Sequence, residues 1–242
     1  MCTLIVMRGI DPEYPLVLAA NRDEKPARPT QNPTDLPGGV YAPLDLVHGG
    51  SWIGVNRRGL VAALTNRFLA PRFRGRRSRG RLITEALTRR RTAEAVAAIR
   101  AEPPGTYNGF QLFLDDGREA ALVWSNAAEY IVEPLGAGSW IFTGDDDAPG
   151  YSERAALVRE WMGPALRPDD LSWLKAMLSF HGPGPENGTC VHGAGVSMES
   201  IFSMVIRRPV GNASWQIAWR AGRPCETQAW TEESRPIERS DQ

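Results

Sequence analysis

The chain has 242 residues, 28 basic and 28 acidic side chains for a formal charge of zero, and three cysteines. That length buries a substantial core without disulfide or metal staples, and the even charge supplies no global field toward nucleic acid or a membrane surface. The odd cysteine count argues against a secreted disulfide framework, and neither a signal h-region nor an apolar run of the ~20 residues a span needs is evident, so the expectation is a cytoplasmic protein without a membrane span.

Taken in order, Leu4 to Met7 and Leu16 to Ala20 are short β-type runs joined by a turn rich in Asp, Pro and Gly, the signature of a hairpin. A pairing centred near Pro12 sets Cys2 opposite Arg22, within reach of Asn21 and Asp23. The Pro-rich stretch from Pro26 to Pro43 reads as a long ordered loop. Ser51 to Asn56 and Leu60 to Thr65 form a second hairpin around Arg57-Arg58-Gly59, delivering Asn66 at its far end. A basic block from Arg72 to Arg81 precedes an amphipathic helix that begins near Leu82, breaks near Arg91-Thr92 and ends at Pro103.

Four short strands follow, Phe110 to Leu114, Ala120 to Trp124, Glu129 to Val132 and Ser139 to Phe142, read as a meander. Helices are expected over Tyr151 to Met162 and Asp169 to Leu178, the second capped by Asp169 or Asp170. Ile201 to Ile206, Trp215 to Trp219 and a run near Thr227 to Trp230 read as strands. The pattern is α+β, antiparallel sheets flanked by helices. One domain over residues 1–231 and a frayed polar tail over 232–242 complete the expectation.

Chemistry concentrates at the N-terminus. Removal of Met1 would make Cys2 the terminal residue, and its α-amino group, with a reference pKa of about 7.7–8.0, would then serve as base for its own thiol. Arg22 would lower the thiol pKa, Asp23 would orient the amine, and Asn66 would donate to a developing oxyanion. The bland alternatives are a structural cysteine and an Arg22-Asp23 pair that fixes a strand end. Asp145-Asp146-Asp147 is adequately explained by capping of the helix after it. The three histidines and three cysteines fall at no zinc spacing, Cys190-x-His192 being one pair without partners, so no metal is expected.

Met1-Cys2, Leu18 to Glu24 with Arg28-Pro29, Gly49-Gly50-Ser51-Trp52-Ile53-Gly54 and Arg58-Gly59 to Asn66 resemble the family named for its Asn-Arg-Asp-Glu motif, whose eukaryotic branch is called transport and Golgi organisation protein. Arg79-Gly80 and Tyr107-Asn108-Gly109-Phe110 extend the match, and Cys190-Val191-His192-Gly193 is similar to its bacterial branch. That family is in turn similar to cysteine N-terminal-nucleophile amidases of the choloylglycine and penicillin V acylase type. The resemblance implies a four-layer αββα sandwich of two antiparallel sheets, with Cys2 at the nucleophile, Arg22 and Asp23 beside it and Asn66 at the oxyanion position. Two amidase partners lack equivalents: Phe142-Thr143-Gly144-Asp145 offers no second Asn, and Ser197-Met198-Glu199-Ser200 offers Glu199 where a late Arg is expected.

Two functions follow. One is hydrolysis of a small, anionic amide by Cys2, requiring no cofactor. The other is a non-catalytic carrier on the same scaffold for haem or a lipid, which the family's links to haem mobilisation and to lipid and Golgi homeostasis imply. A carrier would take an axial haem ligand from Cys2, His48 or His192, with Asn21, Trp52 and Arg79 as further ligand contacts and the Arg72 to Arg81 block holding carboxylates. Neither calls for nucleic acid, and the oligomeric state is not legible.

Overall fold

The computed structural model describes residues 2–68, 72–144, 149–184, 186–211, 214–226 and 229–238. Asp145-Asp146-Asp147 and the start of the run near Thr227 lie outside the described residues. The chain divides into two compact units, one formed by Met1–Ala27 with Ala137–Arg235, the other by Arg28–Gly136 with Pro236–Gln242. Among the described residues each is an antiparallel sheet carrying two helices, which gives the α+β class expected.

In the first unit β1 (Cys2–Arg8) and β2 (Leu16–Glu24) form the opening hairpin, with Cys2 opposite Arg22 as the turn position predicts. β2 continues into β11 (Glu199–Arg208), then β12 (Ser214–Ala221) and β13 (Thr231–Pro236), while β10 (Gly138–Thr143) borders β1. Side chains alternate between faces of a strand. Ile5, Met7, Val17, Ala19, Val205 and Ala218 occupy one face and pack against α3 (Glu153–Met162) and α4 (Leu171–Leu178) through Ala155, Val158, Met162, Leu174 and Met177. Ser152 caps α3 by accepting from the Ala155 amide, and Asp170 caps α4 by accepting from Ser172 and Trp173.

The second unit is a seven-stranded sheet in sequential order, β3 (Thr30–Leu36), β4 (Val40–Asp45), β5 (Ile53–Asn56), β6 (Val61–Asn66), β7 (Phe110–Asp115), β8 (Ala120–Ser125) and β9 (Tyr130–Leu135). On one face Ala62, Leu64, Leu112 and Leu114 meet Leu82, Ile83 and Ile99 from α1 (Gly80–Ala86) and α2 (Thr92–Ala101). The break between the helices falls where expected. There the Thr92 amide donates to the Asp116 carboxylate and its hydroxyl to the Glu119 carbonyl, fixing the start of α2. The second hairpin is tied to α1 by Asn56, whose amide donates to the Leu87 and Arg89 carbonyls while its oxygen accepts from Arg58 and Leu60.

Three expectations are corrected. The Pro-rich loop is a strand pair: β3 is an edge strand, where a residue without an N–H is tolerated, and its register with β4 shifts between Gln31 and Thr34, around Pro33. Gly38 and Gly39, both at positive φ, turn the chain between them. The meander stops at β9, because β10 leaves it to pair with β1 in the other sheet. The first part of the polar tail is also ordered, as β13: Glu233 accepts from the Trp219 indole at 2.8 Å and Glu232 pairs with Lys175 at 2.6 Å. Among the described residues no helix is long and apolar enough to cross a membrane.

Candidate active site

Strand parity sorts the N-terminal residues. Cys2 and Arg22 form a cross-strand pair on one face of the first sheet, while Thr3, Asn21 and Asp23 fall on the face that carries the helices. A bulge in β11 between Ser200 and Phe202 gives Asp23 the partner Ser200 and Arg22 the partner Phe202. Bulges of this kind re-aim side chains. Without it Ile201 would stand opposite Asp23.

On the helix face these polar residues form a buried network. The Ser200 hydroxyl donates to Asp23 Oδ1 at 2.6 Å and accepts from the Val191 amide at 2.9 Å. Arg154, in the first turn of α3, directs Nη1 at Asp23 Oδ2 and at Thr3 Oγ1, both at 3.4 Å. Asn21 donates to the Leu178 and Thr189 carbonyls at 2.8 and 2.7 Å and accepts from the Ser203 hydroxyl at 2.7 Å. All of these side chains are buried. Asn21, expected as a ligand contact, is thus engaged on three sides by the protein and braces β2 against α4 and β11.

Burial pushes the Cys2 thiol above its ordinary pKa; the charge of Asp23 adds to the rise, while the Asp23 backbone and Arg22 oppose it. Arg22 therefore acts in the expected direction, yet desolvation outweighs it. Burial likewise raises the Asp23 carboxyl to about 6, although Arg154 and the Ser200 hydroxyl both favour its charged form.

His192 lies in the loop before β11. Its Nε2 is 2.9 Å from His181 Nε2 and 3.3 Å from Cys225 Sγ. Burial and the neighbouring His181 hold its pKa below the usual imidazole value. Burial, with Cys225 beside it, pushes the Cys190 thiol up to about 12. The Cys190-His192 pair, alone in the sequence, thus acquires two neighbours from other segments.

The remaining candidates belong to the second unit. Asn66 closes β6, opposite Phe110 and half-buried. His48 is exposed in the turn after β4. Trp52 is buried just before β5, its carbonyl accepting from the Leu64 amide at 2.7 Å. Arg79 starts α1 and donates to the Gly109 carbonyl at 2.8 Å. Much of the basic block is likewise engaged: Arg76 donates to the Tyr107 and Ala127 carbonyls and stacks over Phe73, and Arg77 pairs with Glu85 and Glu102. Glu199, standing where the amidase resemblance implies a late arginine, is itself bound by Arg223 at 2.7 Å.

Arg154 is a member of this buried network that the sequence expectations do not include. Its signal was available: it shares a helical stripe with Val158 and Met162, and a cation on an apolar stripe needs a buried partner.

A family model described as Transport and Golgi organisation 2 matches residues 1–147. The Transport and Golgi organization protein 2 homologs of Bos taurus and Homo sapiens are 39% and 37% identical over 110 residues, covering 43% of this chain and 39% of each relative. The matched segment thus spans about two fifths of the length of those relatives. Among solved structures, the Caenorhabditis elegans ortholog of N-acylethanolamine-hydrolyzing acid amidase superposes with a TM-score of 0.58 at 14% identity, over 85% of this chain and 92% of that one. A mutant conjugated bile acid hydrolase from Clostridium perfringens gives 0.54 at 10% identity, over 99% and 97%. At these identities the likeness is one of fold, that of the N-terminal-nucleophile hydrolases.

Proposed function

The chain belongs to the Transport and Golgi organisation 2 family, and on that premise we propose that it is an N-terminal-nucleophile hydrolase that cleaves a small, anionic amide with Cys2. The observation that carries this reading is the register of the first hairpin, which pairs Cys2 with Arg22 while a buried Asp23, Arg154 and Ser200 network holds the same end of β2.

A buried thiol with a raised pKa is a poor nucleophile by itself. Removal of Met1 supplies what it lacks, an α-amino group on the same residue that takes the thiol proton. The thiolate then attacks the amide carbonyl carbon and gives a tetrahedral oxyanion. The protonated amine returns its proton to the leaving nitrogen as the C–N bond breaks. Water, activated by the same amine, hydrolyses the thioester and frees Cys2. Arg22, on the same sheet face as Cys2, steadies the thiolate and attracts the anionic group of the substrate. Asp23 acts by position, keeping β2 in register through Ser200 and Arg154. One solved neighbour is named an N-acylethanolamine-hydrolyzing acid amidase and another a conjugated bile acid hydrolase, and the first name supports an N-acyl amide as substrate class.

Intact-mass analysis of natively expressed protein tests the first requirement: the expected mass lacks Met1. A panel of N-acyl amino acids and N-acyl amines then tests turnover by release of free amine, expected for the wild type and lost in Cys2→Ala and Cys2→Ser. Fully retained Met1 in folded protein overturns the hydrolase. Retained Met1 with saturable binding of hemin or of an acyl probe, and no amine release, would instead establish the carrier.

A further inference from the structure

Four side chains that the hydrolase does not use converge in the first unit. His181 follows α4, Cys190 and His192 lie in the loop before β11, and Cys225 lies in the turn after β12. One ligand atom from each falls within 4.8 Å of all the others. The two imidazoles meet edge to face with ring centres 4.9 Å apart, and both present Nε2 to the centre.

We propose that His181, Cys190, His192 and Cys225 form a structural Cys2His2 site for a zinc ion. Two nitrogens and two sulfurs in a closed set are the donors that tetrahedral zinc takes, at about 2.0–2.1 Å for nitrogen and about 2.3 Å for sulfur. Those bond lengths place neighbouring ligand atoms roughly 3.3–3.8 Å apart, so the present cluster needs adjustments of no more than about an ångström. The two Nε2 atoms already face one another at 2.9 Å, as two nitrogens that bind one ion would. A Cys190–Cys225 disulfide would use the sulfurs and leave both rings without a role; zinc uses all four groups.

The backbone carrying these side chains is firmly set. The Cys190 amide donates to the Phe180 carbonyl at 2.9 Å, and the Thr189 hydroxyl donates to the Met177 carbonyl. Gly188 lies so close to residues 180 and 181 that a Cβ there would stand 2.2 Å from the Phe180 oxygen and 2.3 Å from the His181 carbonyl carbon. The Pro224 carbonyl, next to Cys225, accepts from Ser179 at 3.0 Å. His181 is exposed, which gives an ion a way in, while Cys190 is fully buried. Next along the chain from Cys190, the Val191 amide donates to Ser200, which in turn holds Asp23. An ion here would fasten the loop on which that network leans.

The test is metal analysis of reduced, purified full-length protein, followed by replacement of zinc with cobalt(II). The expected results are about one zinc per chain and a cobalt spectrum with intense tetrahedral ligand-field bands and thiolate-to-cobalt charge transfer. Cys2→Ser should keep both signals. Cys225→Ser and the exposed His181→Gln should each lower zinc occupancy at least tenfold. The wild-type cobalt spectrum decides the matter even where a variant fails to fold. Absence of both zinc and the thiolate charge-transfer band in reduced protein overturns the site. So does a Cys190–Cys225 disulfide, read as a linked peptide pair, in protein isolated under thiol-blocking conditions without metal.

Discussion

Arg154 and Asp23 form an ion pair closed to solvent on both sides, Nη1 to Oδ2 at 3.4 Å with side-chain exposures of 2% and 0%. Desolvating two charges costs nearly as much as their attraction returns, so such a pair is weak evidence for stability, but removing one partner strands the other. Arg154→Met is therefore expected to cost about 3–5 kcal/mol. Adding Asp23→Asn to it should restore a good part of that loss, leaving the pair of mutations strongly non-additive. Urea denaturation of the two single variants and the double variant measures this. Strict additivity would mean that the two groups do not depend on one another.

The same carboxylate predicts a pH dependence. Its folded pKa of about 6 stands above the ordinary 3.8, so the native state holds a proton that the unfolded chain releases. The stabilisation is complete below about pH 4 and is lost as pH rises through about 6, with a swing on the order of 3 kcal/mol. Other carboxylates add their own slopes, so the readout is the difference between wild type and Asp23→Asn. That difference should change between about pH 4 and pH 6 and be flat from pH 7 to 8. A difference independent of pH throughout would show that Asp23 keeps an ordinary pKa in the fold.

Much of this site was legible from strand parity. Placing Pro12 at the turn fixes Cys2 opposite Arg22, and counting by twos from the apolar Ile5, Met7, Val17 and Ala19 leads to Thr3, Asn21 and Asp23 as polar residues on the same buried face. Their partners were not legible. Ser200 reaches Asp23 only because β11 bulges, and no local signal in Ser200-Ile201-Phe202-Ser203 announces an extra residue. The helical stripe of Arg154 signals that it is buried, but nothing in the sequence pairs it with Asp23, 131 residues away. The four-residue sulfur and imidazole cluster was hidden for the same reason, since His181, Cys190, His192 and Cys225 are assembled by tertiary structure rather than by spacing. In the second unit, Pro33 and Pro43 masked a strand pair that an edge position and an irregular register make possible.

Asn21 offers a direct separation of bracing from ligand contact. Asn21→Ala leaves the Leu178 and Thr189 carbonyls and the Ser203 hydroxyl without this partner in a dry interior. Each unmet buried group costs about 1–3 kcal/mol, so a loss of at least about 3 kcal/mol is expected. Asn21→Asp should be worse, because a carboxylate facing two carbonyl oxygens has no proton to give unless it stays neutral. Thermal and urea unfolding of both variants check the ordering. A variant with wild-type stability but weakened ligand binding would return Asn21 to the ligand.

The motif residues Gly49-Gly50 and Gly80 supply a matched pair of tests in the second unit. Both Gly49 and Gly50 have positive φ, +67° and +87°, so alanine at either pays for a left-handed backbone, about 1–2 kcal/mol. Their surroundings differ. A Cβ on Gly49 would meet nothing within 4 Å, whereas one on Gly50 would stand 2.3 Å from the Gly80 carbonyl carbon and 2.5 Å from its oxygen. That oxygen accepts from the Ser51 amide at 3.0 Å, joining the loop before β5 to the first turn of α1. Gly50→Ala must open this junction between two backbones, neither of which has a flexible side chain to yield. Gly49→Ala is expected to lose only the conformational cost, and Gly50→Ala at least about 2 kcal/mol more. Equilibrium unfolding of the two variants side by side settles it: equal midpoints would mean that the loop and helix do not touch in solution as closely as this junction requires.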